Sequence, residues 1–219
     1  AGQGMTDRYT QKQSHKLSDV ARRAGVSVIT ASRALRTPEL VAAGTLERVR
    51  AAVSDLGYVP NPAAQALASA RSKVIGVIIP SVTNSVFADL LRGVMDATEG
   101  TPFQPQFANT RYVSAREDEL VRLFAIQRPA GMIVAGIDQG QGARATLAGM
   151  GCPVVQVMET GPEPVDMMIG CSQVEGARAA VRHLLEQGYA RIGFLGARMD
   201  PRAQRRLQGY RLELEAAGL

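Results

Sequence analysis

At 219 residues, with 46% hydrophobic and 21% charged residues, the chain has the composition of a globular protein with room for one α/β domain and a small module, which sets aside disordered and fibrous classes. Its longest apolar run, 74–79, is far too short to span a bilayer, and its start, AGQGMTDRYT, lacks a signal peptide's apolar stretch, so a cytoplasmic protein without membrane contact is expected. The net charge of +5 is unevenly held: residues 1–73 carry 11 Lys/Arg against 5 Asp/Glu and residues 74–219 carry 14 against 15, a basic module beside a near-neutral domain, as suits a polyanionic partner such as DNA.

Residues 1–4, ahead of Met5, read as a vector-derived scar, and 1–15 as a flexible tail. The first folded pattern begins at Leu17. Val20, Ala21 and Ala24 recur at helical spacing, Gly25 supplies a left-handed stop, and Ser27 stands where an N-cap oxygen would serve the next helix. In that helix Ala31, Ala34 and Leu35 make one apolar stripe. Val28, Ile29, Ser32 and Arg33 fall on the other side, near the N-terminal end that a helix-turn-helix offers to the major groove. An apolar stripe opposed by Ser and Arg also describes any solvated helix, so the pattern alone does not decide. A loop over 37–44 leads to a third helix with Val49, Ala52, Val53 and Leu56 at i, i+3, i+4 and i+7, ended by Gly57; Tyr58 is expected to pack back under this module. Ala42 has no side-chain oxygen to cap this helix, so the cap slides to Thr45 or is lost. Asn61-Pro62 reads as N-cap and first position of a helix over 63–70, too short to be stable unless something packs on it.

From Val74 the period changes. Apolar runs VIGVIIP, QFAN, GMIVAGI and PVVQVM alternate with helical patterns over 87–98, 115–127 and 143–150, the βαβ signature of a parallel sheet covered on both faces. Pro105 would break a central ladder, but a strand order of 2-1-3-4-5 puts its strand at an edge. Ser172 then caps a helix running to Gln187, RIGFLG at 191–196 reads as another buried strand, and a last helix is expected near 203–217. In open parallel sheets ligands sit beyond the carboxyl ends of the strands, which selects Ser81, Asn84 and Phe87, then Asn109 and Arg111, then Met158 and Glu159, with Arg202 and Arg206 from the C-terminal part. Each arginine can instead be a surface residue, the reading preferred for Arg202 and Arg205.

Competing chemistry finds little support. Cys152 and Cys171 with His15 and His183 have no metal-ligand spacing, and the cysteines read as buried thiols. No serine sits in a G-x-S-x-G elbow, so an enzyme is not expected. Gly140-Gln141-Gly142-Ala143-Arg144-Ala145 satisfies G-x-G-x-x-A, with Glu159 or Glu163 about twenty residues on, but it follows the third strand instead of the first and the spacer Asp138-Gln139 separates it from the strand end. No nicotinamide or other cofactor is therefore expected.

Leu17, Asp19-Val20-Ala21, Ala24-Gly25-Val26-Ser27, Thr30, Ser32-Arg33 and Gly57-Tyr58-Val59-Pro60-Asn61 resemble, in residue type and spacing, the headpiece of the LacI family of transcription regulators. The resemblance implies a DNA-binding domain over 16–60, a hinge helix and linker over 61–72, and a periplasmic-binding-protein-like core over 73–219, with a first lobe at 73–170 and the start of a second at 171–219. Family members run well beyond Leu219, so the second lobe is expected to be incomplete and an effector held on one side only. By the same resemblance Leu17, Ser27, Val28, Ile29, Thr30, Ser32, Arg33, Arg36, Tyr58, Asn61, Ala64 and Leu67 would meet operator DNA, with Leu67 wedging between bases in the minor groove. Arg206, three residues before Gly209-Tyr210, matches the family's effector-contacting arginine. LRTPELV, IIPSVTNSVFADLLRG, PVVQVMETG and FLGARMDPRAQRRLQGYRLELEAAGL look most like gluconate-utilisation repressors. The expected protein is thus a homodimeric repressor that binds palindromic operator half-sites under control of a sugar acid; the alternative is a cytosolic sugar-binding protein with a small protein-interaction module.

Overall fold

The computed structural model describes residues 15–59 and 72–219, and the chain divides into two compact units, 1–65 and 66–219. The hinge helix expected over 63–70 lies outside the described residues, as do Asn61, Ala64 and Leu67.

In the first unit α1 (Leu17–Ala24), α2 (Val28–Arg36) and α3 (Ala43–Leu56) enclose a core of Val20, Ala24, Ala34, Val49 and Ala52, against which Leu17, Leu35, Leu46 and Tyr58 lean. The start of α1 is fixed by the Lys16 N–H donating to Asp19 Oδ2 at 2.9 Å, and that bond draws the Asp19 carboxyl below its usual pKa. Gly25 ends the helix at φ 63°, a conformation cheap only for glycine. Ser27 then caps α2, its Oγ accepting the Thr30 N–H at 3.1 Å. The start of α3 shows the other outcome: Ala42 is the N-cap and no side chain accepts there, a loss of about 1 kcal/mol against a capping serine. A 3-10 turn, Pro38–Leu40, occupies the loop before it.

The second unit is built on a five-stranded parallel sheet of β1 (Val74–Ile79), β2 (Gln104–Asn109), β3 (Gly131–Ala135), β4 (Val154–Glu159) and β5 (Met167–Cys171), in the order β2-β1-β3-β4-β5. Pro105 pairs with Ile75 on an edge strand, where its missing N–H costs no ladder bond on the open side. Helices α5 (Ser114–Ile126) and α6 (Gln141–Gly149) cover one face over Ile78, Met132, Val134 and Val154. Helix α4 (Ala88–Thr98) and Phe87 cover the other over Val77, Ile79, Ala135 and Val157. No helix among the described residues is long and apolar enough to cross a membrane.

A buried polar chain runs through the first of these faces. Gln156 donates to Gln139 Oε1 at 2.6 Å, Gln139 donates to the Gly136 carbonyl at 3.0 Å, and the Val165 N–H donates to Gln156 Oε1 at 2.8 Å. Glu117 closes the chain at Gln139, and burial pushes its carboxyl above the usual pKa, with Asp118 and Asp138 adding repulsion.

Beyond the sheet, α7 (Gln173–Glu186) and α8 (Pro201–Ala216) pack as a pair. Ser172 caps α7, accepting the Glu175 N–H, and Asp200 caps α8 with Pro201 at its first position. Glu213, 7% exposed, takes Arg178 Nε at 2.9 Å and Arg182 Nε at 2.6 Å, and these guanidiniums, Arg182 foremost, hold its carboxyl below the usual range.

Three expectations need correction. RIGFLG is not a strand: 191–196 pairs with no strand among the described residues, and Leu195 is 95% exposed. Its period of two survives in the packing of Ile192 and Phe194, with Tyr210 donating to the Ile192 carbonyl at 2.7 Å and the Phe194 and Tyr210 rings 5.6 Å apart. The fifth strand is instead Met167–Cys171, reached from β4 by a short return without a helix, which Asp166 pins by accepting the Val154 N–H at 3.0 Å. Finally the thiols are not buried: Cys152 is half-buried and Cys171 exposed.

Gly209 marks a close approach of α7 and α8: a Cβ there would collide with the Val174 carbonyl oxygen and lie 3.0 Å from Ala177 Cβ. Gly209→Ala should therefore lower the urea midpoint, the overpacking of about 1–3 kcal/mol outweighing the gain of about 1 kcal/mol in helix propensity. Glu117→Gln should do the opposite at neutral pH. A carboxyl whose folded pKa is raised costs stability once ionised, so the variant's advantage should be full above the folded pKa and vanish as pH falls to the unfolded value; urea melts of both proteins across acid to neutral pH measure this.

Candidate functional site

Two surfaces gather the residues singled out in the sequence. On the headpiece, the core takes Ala31 and Ala34 from α2 and leaves Val28 and Ile29 47% and 72% exposed, with Arg33 and Arg36 exposed beside them. Apolar side chains presented to solvent beside free guanidiniums are not explained by the packing of the module. Arg22 and Arg23 are tied to Asp19 and Asp55 at 3.1 and 2.7 Å, whereas Arg33 and Arg36 have no carboxylate partner among the described residues. Ser27 spends its oxygen on the cap, and Thr30 Oγ1 lies 2.9 Å from it. Ser32 is half-buried on the flank of the exposed face. Leu17 and Tyr58 are half-buried against the headpiece core, so little of their side chains is left for a partner.

The second surface is a cleft of about 690 Å³ at the carboxyl ends of the strands, roofed by the start of α8 and the segment before it. Of the residues expected to hold a ligand, Ser81, Asn84, Phe87, Met158, Arg202 and Arg206 line it. Phe87 is fully buried and forms its floor; Ser81 shapes the turn after β1 by accepting the Thr83 and Asn84 N–H groups. Asn109, Arg111 and Glu159 do not line it. Asn109 Oδ1 accepts the Arg111 N–H at 2.9 Å, a turn-forming bond, and Glu159 is fully buried with Oε1 bound to Arg205 Nε. Arg205 is accordingly no surface arginine: it also bridges to Asp138.

Sequence reasoning passed over Tyr112, Gln173, Arg198 and Asp200, which also line the cleft. Tyr112 Oη accepts from Asn84 Nδ2 at 3.2 Å, and the Arg198 guanidinium lies over its ring at 4.3 Å. Arg111 and Tyr112 are consecutive left-handed residues, φ 54° and 61°, and Met158 at the end of β4 has φ 79°. Such backbone costs of order 1–3 kcal/mol per residue for a side-chain-bearing position, and it turns Tyr112 and Met158 toward the cleft. Nothing in their residue types announces this; the only sequence signal was their place just past a strand end.

The cleft's charge is one-sided. Arg198, Arg202 and Arg206 face a single carboxylate, Asp200, whose Oδ1 caps α8 and whose Oδ2 lies 3.7 Å from Arg202. Arg206 has no hydrogen bond or ion pair among the described residues. Three guanidiniums so placed suit a small anion with a carboxylate.

The G-x-G-x-x-A stretch proves to be a packing site. Gly140 is the N-cap of α6, and Asp118 of α5 lies against the helix start, its oxygens 3.4 and 3.6 Å from where Cβ atoms on Gly140 and Gly142 would stand. The two glycines thus leave room for a carboxylate of the neighbouring helix.

Residues 16–61 match the family model for bacterial regulatory proteins, lacI family, and residues 72–219 match that for periplasmic binding proteins and sugar binding domain of LacI family. Among curated relatives, the HTH-type transcriptional regulator GntR of Pseudomonas aeruginosa is 38% identical over 202 residues, covering 92% of this chain and 59% of its own. GntR of Escherichia coli K12 is 34% identical over 209 residues, covering 95% and 63%. Among solved structures, a LacI-family regulator from Silicibacter pomeroyi superposes with TM-score 0.82 at 40% identity over 94% of this chain and 62% of that one. The lac repressor dimer bound to operator and an anti-inducer gives TM-score 0.76 at 28% identity over 94% and 63%. The chain thus spans about three fifths of the length of the relatives it matches, at 59% and 63% of the two GntR proteins. Matched over 16–61 and 72–219, it belongs to the LacI family of bacterial regulatory proteins.

Proposed function

We propose that this chain is a sequence-specific DNA-binding repressor of the cytoplasm, acting as a homodimer on a palindromic operator and controlled by a sugar acid such as gluconate. The observation that carries the reading is the outer face of α2, where Val28, Ile29, Arg33 and Arg36 stand solvent-exposed and unpaired beside the Ser27 cap. That face fits a major groove: apolar tips suit thymine methyls, and a guanidinium can bond a guanine edge or a phosphate. The arginine-rich cleft supports the acid effector, and the relatives named GntR are consistent with gluconate. No catalytic step is assigned to the chain.

In gel shifts with genomic fragments, binding should fall steeply with salt, since Lys and Arg displace counterions; a flat dependence would favour a sugar-binding protein with a protein-interaction module. Arg33→Ala should weaken the selected operator by about 1–3 kcal/mol with the fold intact by circular dichroism. Ile29→Gln should change which operator is preferred more than total DNA affinity, because it alters apolar contacts and no charge. If both variants select the parent's operator with the parent's affinity, the groove assignment is wrong.

For the cleft, calorimetry should show gluconate binding more tightly than neutral glucose. Arg206→Leu should weaken gluconate by roughly tenfold or more, less than for a fully buried pair because the guanidinium is exposed. Equal affinity for acid and neutral sugar, or an unchanged variant, removes the acid effector and leaves the DNA-binding reading as it stands.

A further inference from the structure

The α7 and α8 pair is joined to the sheet by few polar ties. Every side-chain hydrogen bond between α8 and the sheet body among the described residues is made by one residue, Arg205. Its Nε donates to Glu159 Oε1 at the end of β4, and its two terminal nitrogens donate to the two oxygens of Asp138 in the loop after β3, a bidentate fork at 2.9 and 2.5 Å. Glu159 is fully buried and its second oxygen has no hydrogen bond among the described residues, where Arg205 is its one charged partner. Asp138 is continuous with Gln139 and thus with the buried chain that ends at Glu117 and Gln156. The bridge therefore fastens α8 to a loop and a strand end that this buried polar chain also holds.

Helical geometry connects this bridge to the cleft. Arg202 and Arg206, four residues apart, share one face of α8 and line the cleft, while Arg205 stands about 100° from Arg206 and reaches the strand ends. Ser81, Asn84 and Phe87 come from the sheet body, so the width of the cleft is the distance of α8 from the strands, which the Arg205 bridge spans.

We propose that Arg205 is the positioning residue of the effector cleft: its bridge to Asp138 and Glu159 holds α8 where Arg202 and Arg206 face Ser81 and Asn84, and an acid held across the cleft favours the same placement, so bridge and ligand strengthen each other. The proposal rests on the sugar-acid reading for its ligand and not for the bridge itself. Linkage makes the coupling reciprocal: if the bridge tightens binding, the ligand tightens the bridge by the same factor.

The test is amide exchange of the whole chain, read by mass spectrometry over 201–210 with 74–79 as internal reference, at low and high salt, with and without gluconate. Removing Arg205 strands the Glu159 carboxylate, so Arg205→Ala is run beside Arg205→Lys and beside Asp138→Asn, which loosens the bridge at its exposed end while leaving Glu159 paired. Without ligand, Arg205→Ala should speed exchange over 201–210 by roughly tenfold with 74–79 unchanged, Arg205→Lys should restore part of the protection, and Asp138→Asn should fall between. Added salt should speed the same amides in the parent and have no further effect in Arg205→Ala, a signature that packing alone would not give. Parental exchange in Asp138→Asn and in Arg205→Ala, or a salt effect that persists without Arg205, overturns the positioning role. Gluconate should slow exchange over 201–210 in the parent and much less in Asp138→Asn. Equal slowing in both overturns the coupling while keeping the sugar acid, and no slowing in either overturns the sugar acid while the ligand-free arms judge the bridge.

Discussion

The second unit depends on the burial of β1 from both faces. Val77, Ile78 and Ile79 are each at most 1% exposed, so consecutive residues that point to opposite sides both need cover, and helices must return over each face. Crossovers through those helices make β1 to β4 parallel, and β5 runs the same way after its short return, which brings all five carboxyl ends to one edge of the sheet. At that edge the backbone leaves the ladder and polar residues can collect. Ser81, Asn109, Asp138 and Glu159 all stand at or just past a strand end, and the cleft opens among the loops that follow.

Much of this was legible because it follows from local periodicity. Gly25 followed by Ser27 marks a turn between helices whatever surrounds it, and Pro105 tells the edge strand from the central one because a missing N–H is tolerated only there. The failures have a shared cause in contacts that sequence spacing does not carry. A parallel strand is expected after a helix, and Met167–Cys171 follows β4 after a short return whose hydrogen bonds come from Asp166 and Gln156, so the pattern had no place for it. RIGFLG has a strand's alternation, but alternation selects a strand only where a neighbour supplies the ladder.

The site was read less completely for a related reason. Strand ends could be listed in advance, but which side chain at each end turns inward is settled by φ. The left-handed backbone at Tyr112 and Met158 turns those residues toward the cleft, while Asn109 and Arg111 are spent on the turn itself. Headpiece residues divided similarly: the stripe of Ala31 and Ala34 and the return of Tyr58 were readable as core, but Leu17 is drawn into that core by helices distant in sequence.

Arg205 and Arg206 show how far apart two neighbouring identical residues can be. Both sit in the same short run, Arg-Arg, and residue type alone assigns them alike. A step of about 100° around α8 sends one to two carboxylates of the sheet body and the other to a cleft with no acid to spare. The first guanidinium is neutralised where it stands and adds no attraction to the cleft. The second, with Arg198 and Arg202, leaves the cleft with more positive than negative charge. Asp138 and Glu159 are therefore as much a part of the cleft's chemistry as the residues lining it: by occupying Arg205 they leave the cleft's positive charge to Arg198, Arg202 and Arg206.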